Sequence, residues 1–253
     1  MTGASAPDVI LADVALREHG QNERGTFQNR FSPAVRIRIA RALHAAGVRR
    51  IEVFSCVSAQ VAPAMAPAYL AEIARGIGRL PDTELVTLVP NPRGFESFLQ
   101  LGLGPGGFGH TVGLFHSAVE AHNRANFGRE IAENQAWIRT IAEQARAREV
   151  PRVGYVSAAF GFRPTPGGEL LDAPLSDVLR FIEIQRDLGT RTVTLSDLQG
   201  VRTPAETRDR LGELLHRLGD DARSWLGYHP HHADPDTGVA LAADPAVAMV
   251  EIQ

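Results

Sequence analysis

The sequence predicts a single α/β domain with the TIM (β/α)8 barrel fold. Its 253 residues are a usual length for such a barrel. Short apolar, β-branched runs alternate with longer segments of helical periodicity, which predicts βαβ units and a parallel sheet. The first strand-like run is followed by LREHGQNERG, which lacks the glycine fingerprint of a dinucleotide-binding sheet. Eight strands and seven helices therefore favour a closed barrel over an open one.

The predicted elements alternate along the whole chain. The strand-like runs are Val9–Val14, Arg50–Phe54, Leu85–Val89, His110–Phe115, Arg152–Val156, Thr192–Ser196, Trp225–Tyr228 and Ala248–Ile252. The helical segments are Ser32–Ala46, Pro67–Leu80, Gly94–Leu101, Arg129–Arg148, Pro174–Leu188, Pro204–Leu218 and, with a weaker pattern, Thr237–Ala243.

Capping residues support several of these helices. Ser32 before Pro33 and Thr203 before Pro204 are N-caps followed by proline at the first helical position. Gly189 follows a helical segment and is typical of a helix end. No change in composition marks a second domain, so residues 1–253 are expected to form one domain. Since Gln253 directly follows the eighth strand, we expect a barrel without its last loop and helix.

Composition narrows the possible partners. A net charge of -3 without a basic stripe argues against nucleic acid or a membrane surface as a partner. The only cysteine is Cys56, so no internal disulfide can form and a cytoplasmic protein is expected. The amino terminus has no signal-peptide pattern, and no apolar run could span a bilayer.

The chain contains no lysine, because all 26 Lys and Arg residues are arginines. Schiff-base chemistry needs a lysine amine and is therefore excluded. Carbon–carbon bond chemistry would have to stabilise its carbanion in another way, and a metal ion is the obvious alternative.

Ionisable residues collect where the predicted strands end, which is where barrel enzymes place their chemistry. His229 and His231 are two residues apart on the seventh strand, so their imidazoles point to the same side. Together with Glu18 after the first strand they predict a divalent metal site, for Mg²⁺ or Mn²⁺ rather than Zn²⁺. Arg17 beside Glu18 is either a surface ion pair or a group that stabilises an enolate.

The order of these motifs resembles the DRE-TIM metallolyase superfamily, and within it the 3-hydroxy-3-methylglutaryl-CoA lyase branch. The resemblance covers nearly the whole chain. It is carried by VALREHGQNE at Val14–Glu23, IEVFSCVS at Ile51–Ser58, LVPNPRGFE at Leu88–Glu96, SAVEAHNRANFGR at Ser117–Arg129, GYVSAAFG at Gly154–Gly161, LSDLQGVRTP at Leu195–Pro204 and YHPHHAD at Tyr228–Asp234.

The resemblance implies a role for each matching residue. It implies metal ligation by Glu18, His229 and His231, catalysis by Arg17 and Glu52, and substrate binding by Gln21, Asn126, Tyr155 and Asp197. The implied reaction is a metal-dependent retro-Claisen cleavage of a hydroxyacyl-CoA to acetyl-CoA and a keto acid. The family's cysteine and asparagine on the loop after strand eight have no counterpart here. His19, Leu198 and His232 also depart from the family's usual residues.

Two other readings stay open on the sequence alone. One is a Claisen-type acyltransferase like citramalate or homocitrate synthase, although those enzymes usually add a region beyond the barrel. The other is a non-catalytic, truncated barrel that binds a metal or a partner. The resemblance also implies a possible homodimer.

Overall fold

The computed structural model describes residues 9–22, 31–231 and 249–252 and places its strands in a closed barrel. Eight parallel strands follow one another in chain order, and the last strand pairs with the first through Ile10 and Met249. The structure thus confirms the predicted TIM barrel.

The strands are β1 (Ile10–Asp13), β2 (Arg50–Ser55), β3 (Glu84–Leu88), β4 (Thr111–Ser117), β5 (Arg152–Ser157), β6 (Val193–Asp197), β7 (Leu226–Pro230) and β8 (Met249–Ile252). The helices of the described residues are α1 (Ala15–Asn22), α2 (Pro33–Ala45), α3 (Pro67–Ile77), α4 (Pro92–Gln100), α5 (Glu120–Phe127), α6 (Ile131–Arg146), α7 (Leu175–Asp187) and α8 (Pro204–Leu218). Two short 3₁₀ helices are Pro63–Met65 and Asp220–Ser224. None of the helices in the described ranges is both long and apolar enough to cross a membrane.

The predicted helix starts are confirmed by their capping contacts. Ser32 accepts a hydrogen bond from the backbone N–H of Val35 at the start of α2. At the start of α8, Thr203 and Glu206 form a reciprocal capping box. Gly189 after α7 has φ +78°, a left-handed conformation that glycine adopts without steric cost.

Two helices were absent from the prediction, α1 and α5. The residues after β1 were expected to continue a strand end, but Ala15–Asn22 forms a helix that carries Arg17 and Glu18. The helix α5 follows β4 directly, where the sequence was read as a loop motif. Both are short, with eight residues each, so their hydrophobic periodicity is too brief to detect. The weak helical pattern at Thr237–Ala243 lies outside the described residues.

The amino-terminal end of the barrel is filled by a polar cluster. Arg50 donates to the Glu84 carboxylate at 2.7 Å and to the Thr192 hydroxyl at 2.9 Å. The Thr111 hydroxyl donates to the other Glu84 oxygen at 2.7 Å, and Arg191 also bonds to that oxygen. These contacts join four strands at one end, so the opposite, carboxyl end is where a ligand can enter.

Candidate active site

A cavity of about 180 Å³ opens at the carboxyl end of the barrel. Its walls come from α1, from α5 and from the ends of several strands. The lining residues are Arg17, Glu18, Gln21, Asn22, Leu88, Phe115, Asn126, Tyr155, Ser157, Ser196, Leu198, His229 and His231. Seven of the nine residues predicted for the site are among them; Glu52 and Asp197 are not.

Arg17 is held at the cavity wall by a buried carboxylate behind it. Its Nε donates to Glu52 Oε2 at 2.7 Å, and the Glu52 side chain is completely buried on β2. Burial alone lowers the pKa of the Arg17 guanidinium, but the charges of Glu52 and Glu18 outweigh it and hold that pKa above its ordinary value. The guanidinium is therefore a permanent, oriented positive charge facing the cavity. Glu52 reaches the cavity through Arg17, not directly.

Glu18 lies beside Arg17 on α1 and presents its carboxylate to the cavity. One oxygen bonds to the Arg17 guanidinium and the other accepts from the Asn22 amide at 3.3 Å. Burial raises the pKa of Glu18, but Arg17, His231 and His229 together bring it below the ordinary value. The carboxylate is therefore ionised at neutral pH, as a metal ligand has to be.

The two histidines lie together on the opposite side of the cavity from the α1 backbone turn. Their ring centroids are 4.4 Å apart, so the predicted i, i+2 arrangement on one side of the strand is confirmed. His229 is on β7, and His231 lies just beyond it. The backbone N–H of His231 donates to the Asp197 carbonyl at 2.9 Å, which extends the β6–β7 pairing and fixes the second imidazole.

These side chains fit a divalent metal in kind, although they do not yet surround one. Across residues 9–22, 31–231 and 249–252, no group of three or more His, Cys, Asp or Glu side chains has the geometry to hold a metal ion. The reason is that the Glu18 carboxylate is turned toward Arg17 and Asn22. However, a carboxylate and two imidazoles border one cavity, and both imidazoles are close enough to affect the pKa of Glu18. This donor set suits Mg²⁺ or Mn²⁺.

Tyr155 forms the floor of the cavity because Gly113 leaves room for its ring. A Cβ at Gly113 would lie 3.0 Å from Tyr155 Cε2, closer than side chains pack. Tyr155 is 5% exposed and interacts electrostatically with Arg17. The predicted substrate-facing position of Tyr155 is consistent with this geometry.

Asp197 is buried beneath the cavity and does not line it. Its Oδ1 accepts backbone N–H groups of Gln199 and Val201, at 3.4 Å and 3.3 Å. Burial raises the pKa of Asp197, and these backbone bonds partly offset the rise. The geometry therefore favours a role in shaping the turn after β6 over direct substrate contact.

The sequence prediction omitted several lining residues, among them Leu88, Phe115, Ser157 and Ser196. Each lies at or near the carboxyl end of a strand, on the side that faces the barrel axis. Strand ends were the right place to look, but apolar and hydroxyl side chains there carry no chemical signal. Their selection needs the strand register, which the structure supplies.

Comparison with known proteins places this site in a family. The sequence matches the HMGL-like family over residues 8–250. It is 29% identical over 241 residues to the mitochondrial hydroxymethylglutaryl-CoA lyase of Rattus norvegicus, covering 95% of this chain and 67% of that protein. It is 33% identical over 235 residues to the 3-hydroxy-3-isohexenylglutaryl-CoA/hydroxy-methylglutaryl-CoA lyase of Pseudomonas aeruginosa, covering 92% of this chain and 70% of that one.

The fold agrees with a solved relative. The crystal structure of hydroxymethylglutaryl-CoA lyase from Pseudomonas aeruginosa has a TM-score of 0.81 with this chain, at 27% identity, and the match covers 98% of this chain and 77% of that one. These curated relatives support a carbon–carbon lyase. The chain belongs to the HMGL-like family.

Proposed function

We propose that this protein is a divalent-metal-dependent lyase that cleaves 3-hydroxy-3-methylglutaryl-CoA, or a similar hydroxyacyl-CoA, into acetyl-CoA and a keto acid. The observation that carries the proposal is the Arg17 guanidinium, fixed by buried Glu52 and facing a cavity that Glu18, His229 and His231 also line. The HMG-CoA lyases to which the chain is similar support the acyl-CoA substrate.

The reaction needs a base, a stabilised enolate and an acid. The proton of the 3-hydroxyl leaves, the C3–O bond becomes a carbonyl, and the C2–C3 bond breaks. Its electron pair goes to C2 and is delocalised as a thioester enolate, which a proton at C2 converts to acetyl-CoA. The developing negative charge is the feature that an enzyme of this class must stabilise.

Arg17 is the group of this chain that meets that charge. Its guanidinium cannot lose its proton at any working pH, and Glu52 prevents it from rotating away from the cavity. A fixed donor needs no reorganisation as the enolate forms, which is where such groups gain their effect. Glu52 therefore acts as a positioning residue behind Arg17.

Glu18, His229 and His231 are the residues that would hold a divalent metal. When bound, the metal would polarise the substrate hydroxyl and carboxylate and lower the hydroxyl pKa. Holding it requires the Glu18 carboxylate to exchange its bond with Arg17 for the ion, which leaves the guanidinium available to the substrate. The two imidazoles stay fixed by the β6–β7 pairing while this happens.

The test is the release of acetyl-CoA from a panel of 3-hydroxyacyl-CoA thioesters, with Mg²⁺ or Mn²⁺ and after chelation. We expect metal-dependent release from at least one of them. The variant Arg17→Gln should lower kcat by about 10²–10³-fold, the usual cost of removing one oxyanion donor.

The matched control is Arg180→Gln, which removes an arginine whose side chain is 56% exposed on α7 and should leave the rate unchanged. The folded fraction of each variant is measured under the assay conditions, since Arg17 also contributes to stability. Absence of acetyl-CoA from every thioester with either metal would refute the proposal. Thiol release from acetyl-CoA only when a 2-keto acid is added would support an acyltransferase instead.

A further inference from the structure

We propose that His122 is a positioning residue, which orients the side-chain amide of Asn126 so that its Oδ1 accepts a hydrogen bond from the bound acyl-CoA. The inference rests on the proposed function for the identity of the substrate. It adds a residue that the sequence did not single out and that does not line the cavity.

A continuous chain of hydrogen bonds runs from the end of β4 to the cavity. The Ser117 hydroxyl accepts the backbone N–H of Val119 at 3.0 Å and donates to the Val119 carbonyl at 3.0 Å. His122 Nδ1 lies 3.0 Å from that hydroxyl oxygen. On the other side of the ring, His122 Nε2 lies 2.9 Å from Nδ2 of Asn126. Asn126 itself lines the cavity.

The donors and acceptors of this chain are compatible with one direction. Because the hydroxyl hydrogen of Ser117 is used by the Val119 carbonyl, His122 Nδ1 has to carry the hydrogen and donate it. Neutral imidazole then has a lone pair on Nε2, which accepts the Asn126 amide N–H. The amide nitrogen of Asn126 is thereby engaged, and Oδ1 remains to meet a donor in the cavity.

The imidazole is itself well fixed. His122 is 7% exposed, and its ring packs edge-on against Phe162 with centroids 4.9 Å apart. Burial lowers the pKa of His122 to about 4, so the ring is neutral near pH 7 and keeps its acceptor. Phe162 belongs to the loop after β5, which bridges back to Leu171. His122 therefore connects a packed loop to an amide at the edge of the cavity.

This arrangement determines what Asn126 can recognise. An asparagine at an exposed edge can offer either its oxygen or its nitrogen, and loses affinity by having to select one. With the nitrogen held by His122, the amide is pre-organised as an acceptor for an O–H or N–H group. An acyl-CoA has both kinds of donor, the 3-hydroxyl of the acyl group and the amide N–H groups of the CoA arm.

Two variants separate the two ends of the imidazole. His122→Gln places an amide oxygen near the Nε2 position and can still accept from Asn126. His122→Asn is shorter, and its amide reaches only the Nδ1 position near Ser117. We expect His122→Asn to raise KM for the acyl-CoA by about threefold to tenfold with little change in kcat, and His122→Gln to restore most of the wild-type KM.

Asn126→Ala should raise KM by a similar factor, and the double variant His122→Asn with Asn126→Ala should raise it no further. His122→Phe keeps the ring contact with Phe162 and serves as the loss-of-contact variant if His122→Asn does not fold. Inhibition by free CoA identifies the donor. An inhibition constant that rises in parallel with KM assigns it to the CoA arm, and an unchanged constant assigns it to the acyl hydroxyl.

The proposal is wrong if His122→Asn has the wild-type KM, if His122→Gln behaves like His122→Asn, or if the two single substitutions have additive effects. A second measurement does not depend on activity. The side-chain ¹⁵N amide resonance of Asn126, assigned by its loss in Asn126→Ala, should move in His122→Asn and return in His122→Gln. If the wild type releases no acetyl-CoA, the proposed function fails, and this resonance alone decides whether His122 holds Asn126; an unmoved resonance overturns it.

Discussion

Removal of the Glu52 carboxylate tests whether Arg17 is held by a buried ion pair. The Glu52 side chain is completely buried and its oxygen lies 2.7 Å from Arg17 Nε, whose side chain is 15% exposed. Glu52→Ala leaves that guanidinium with its charge largely uncompensated. Breaking a buried pair in this way costs about 3–5 kcal/mol. We therefore expect the free energy of unfolding to fall by that amount.

The matched substitution Glu52→Gln keeps the shape of the side chain and an oxygen that can accept from Arg17. A hydrogen bond to a charged group contributes about 1.5–3 kcal/mol, so this variant should lose no more than about half as much as Glu52→Ala. Glu213→Ala breaks an exposed pair with Arg217 on α8 and should cost less than about 1 kcal/mol.

Urea denaturation followed by circular dichroism measures all three variants under the same conditions. Two results would refute the reasoning. The first is a loss below about 1 kcal/mol for Glu52→Ala, which would mean that the pair contributes no more than a surface ion pair. The second is an equal loss in the Ala and Gln variants, which would mean that side-chain volume matters and the contact with Arg17 does not.

Two further substitutions and a pH titration test the packing around the site. Gly113→Ala should cost about 1–3 kcal/mol and change the near-ultraviolet circular dichroism, because the added Cβ lies 3.0 Å from the Tyr155 ring; Gly106→Ala, with nothing within 4 Å, should be neutral. Burial lowers the pKa of both His110 and His116 to about 3, so below pH 6.5 the unfolded chain binds protons that the folded chain does not. Stability should therefore fall by about 1.4 kcal/mol per pH unit for each histidine as the pH decreases from 6.5, and a denaturation midpoint that is constant from pH 7 to 5 would contradict this.

The barrel could be predicted from the sequence because its local signals agree with one another. Apolar runs of strand length alternate with amphipathic segments, and caps such as Ser32 and Thr203 mark where helices begin. The short helix α1 could not be predicted in this way. It begins only two residues after β1 ends, and it is recognisable mainly through the tertiary contacts of its buried residues Leu16 and Gly20.

The site was predictable as a location more than as a geometry. The His-x-His pair could be placed on one side of a strand because strand periodicity fixes which side chains are neighbours. The bond between Arg17 and Glu52 joins residues that are 35 positions apart, and it depends on the pairing of β1 with β2. Asp197 shows the opposite case, since an acidic residue at a strand end proved to hold the backbone of its own turn.

The central claim is that Glu18, His229 and His231 form a divalent metal site, and a Mn²⁺ titration followed by electron paramagnetic resonance tests it most directly. The account predicts one bound Mn²⁺ per chain in the wild type. His229→Ala should weaken binding by at least about tenfold, since even changes next to metal ligands have effects of this size. His216→Ala, on α8 and away from the cavity, should bind Mn²⁺ as the wild type does. A chain that binds no Mn²⁺, or whose His229→Ala variant binds it with undiminished affinity, would contradict the account.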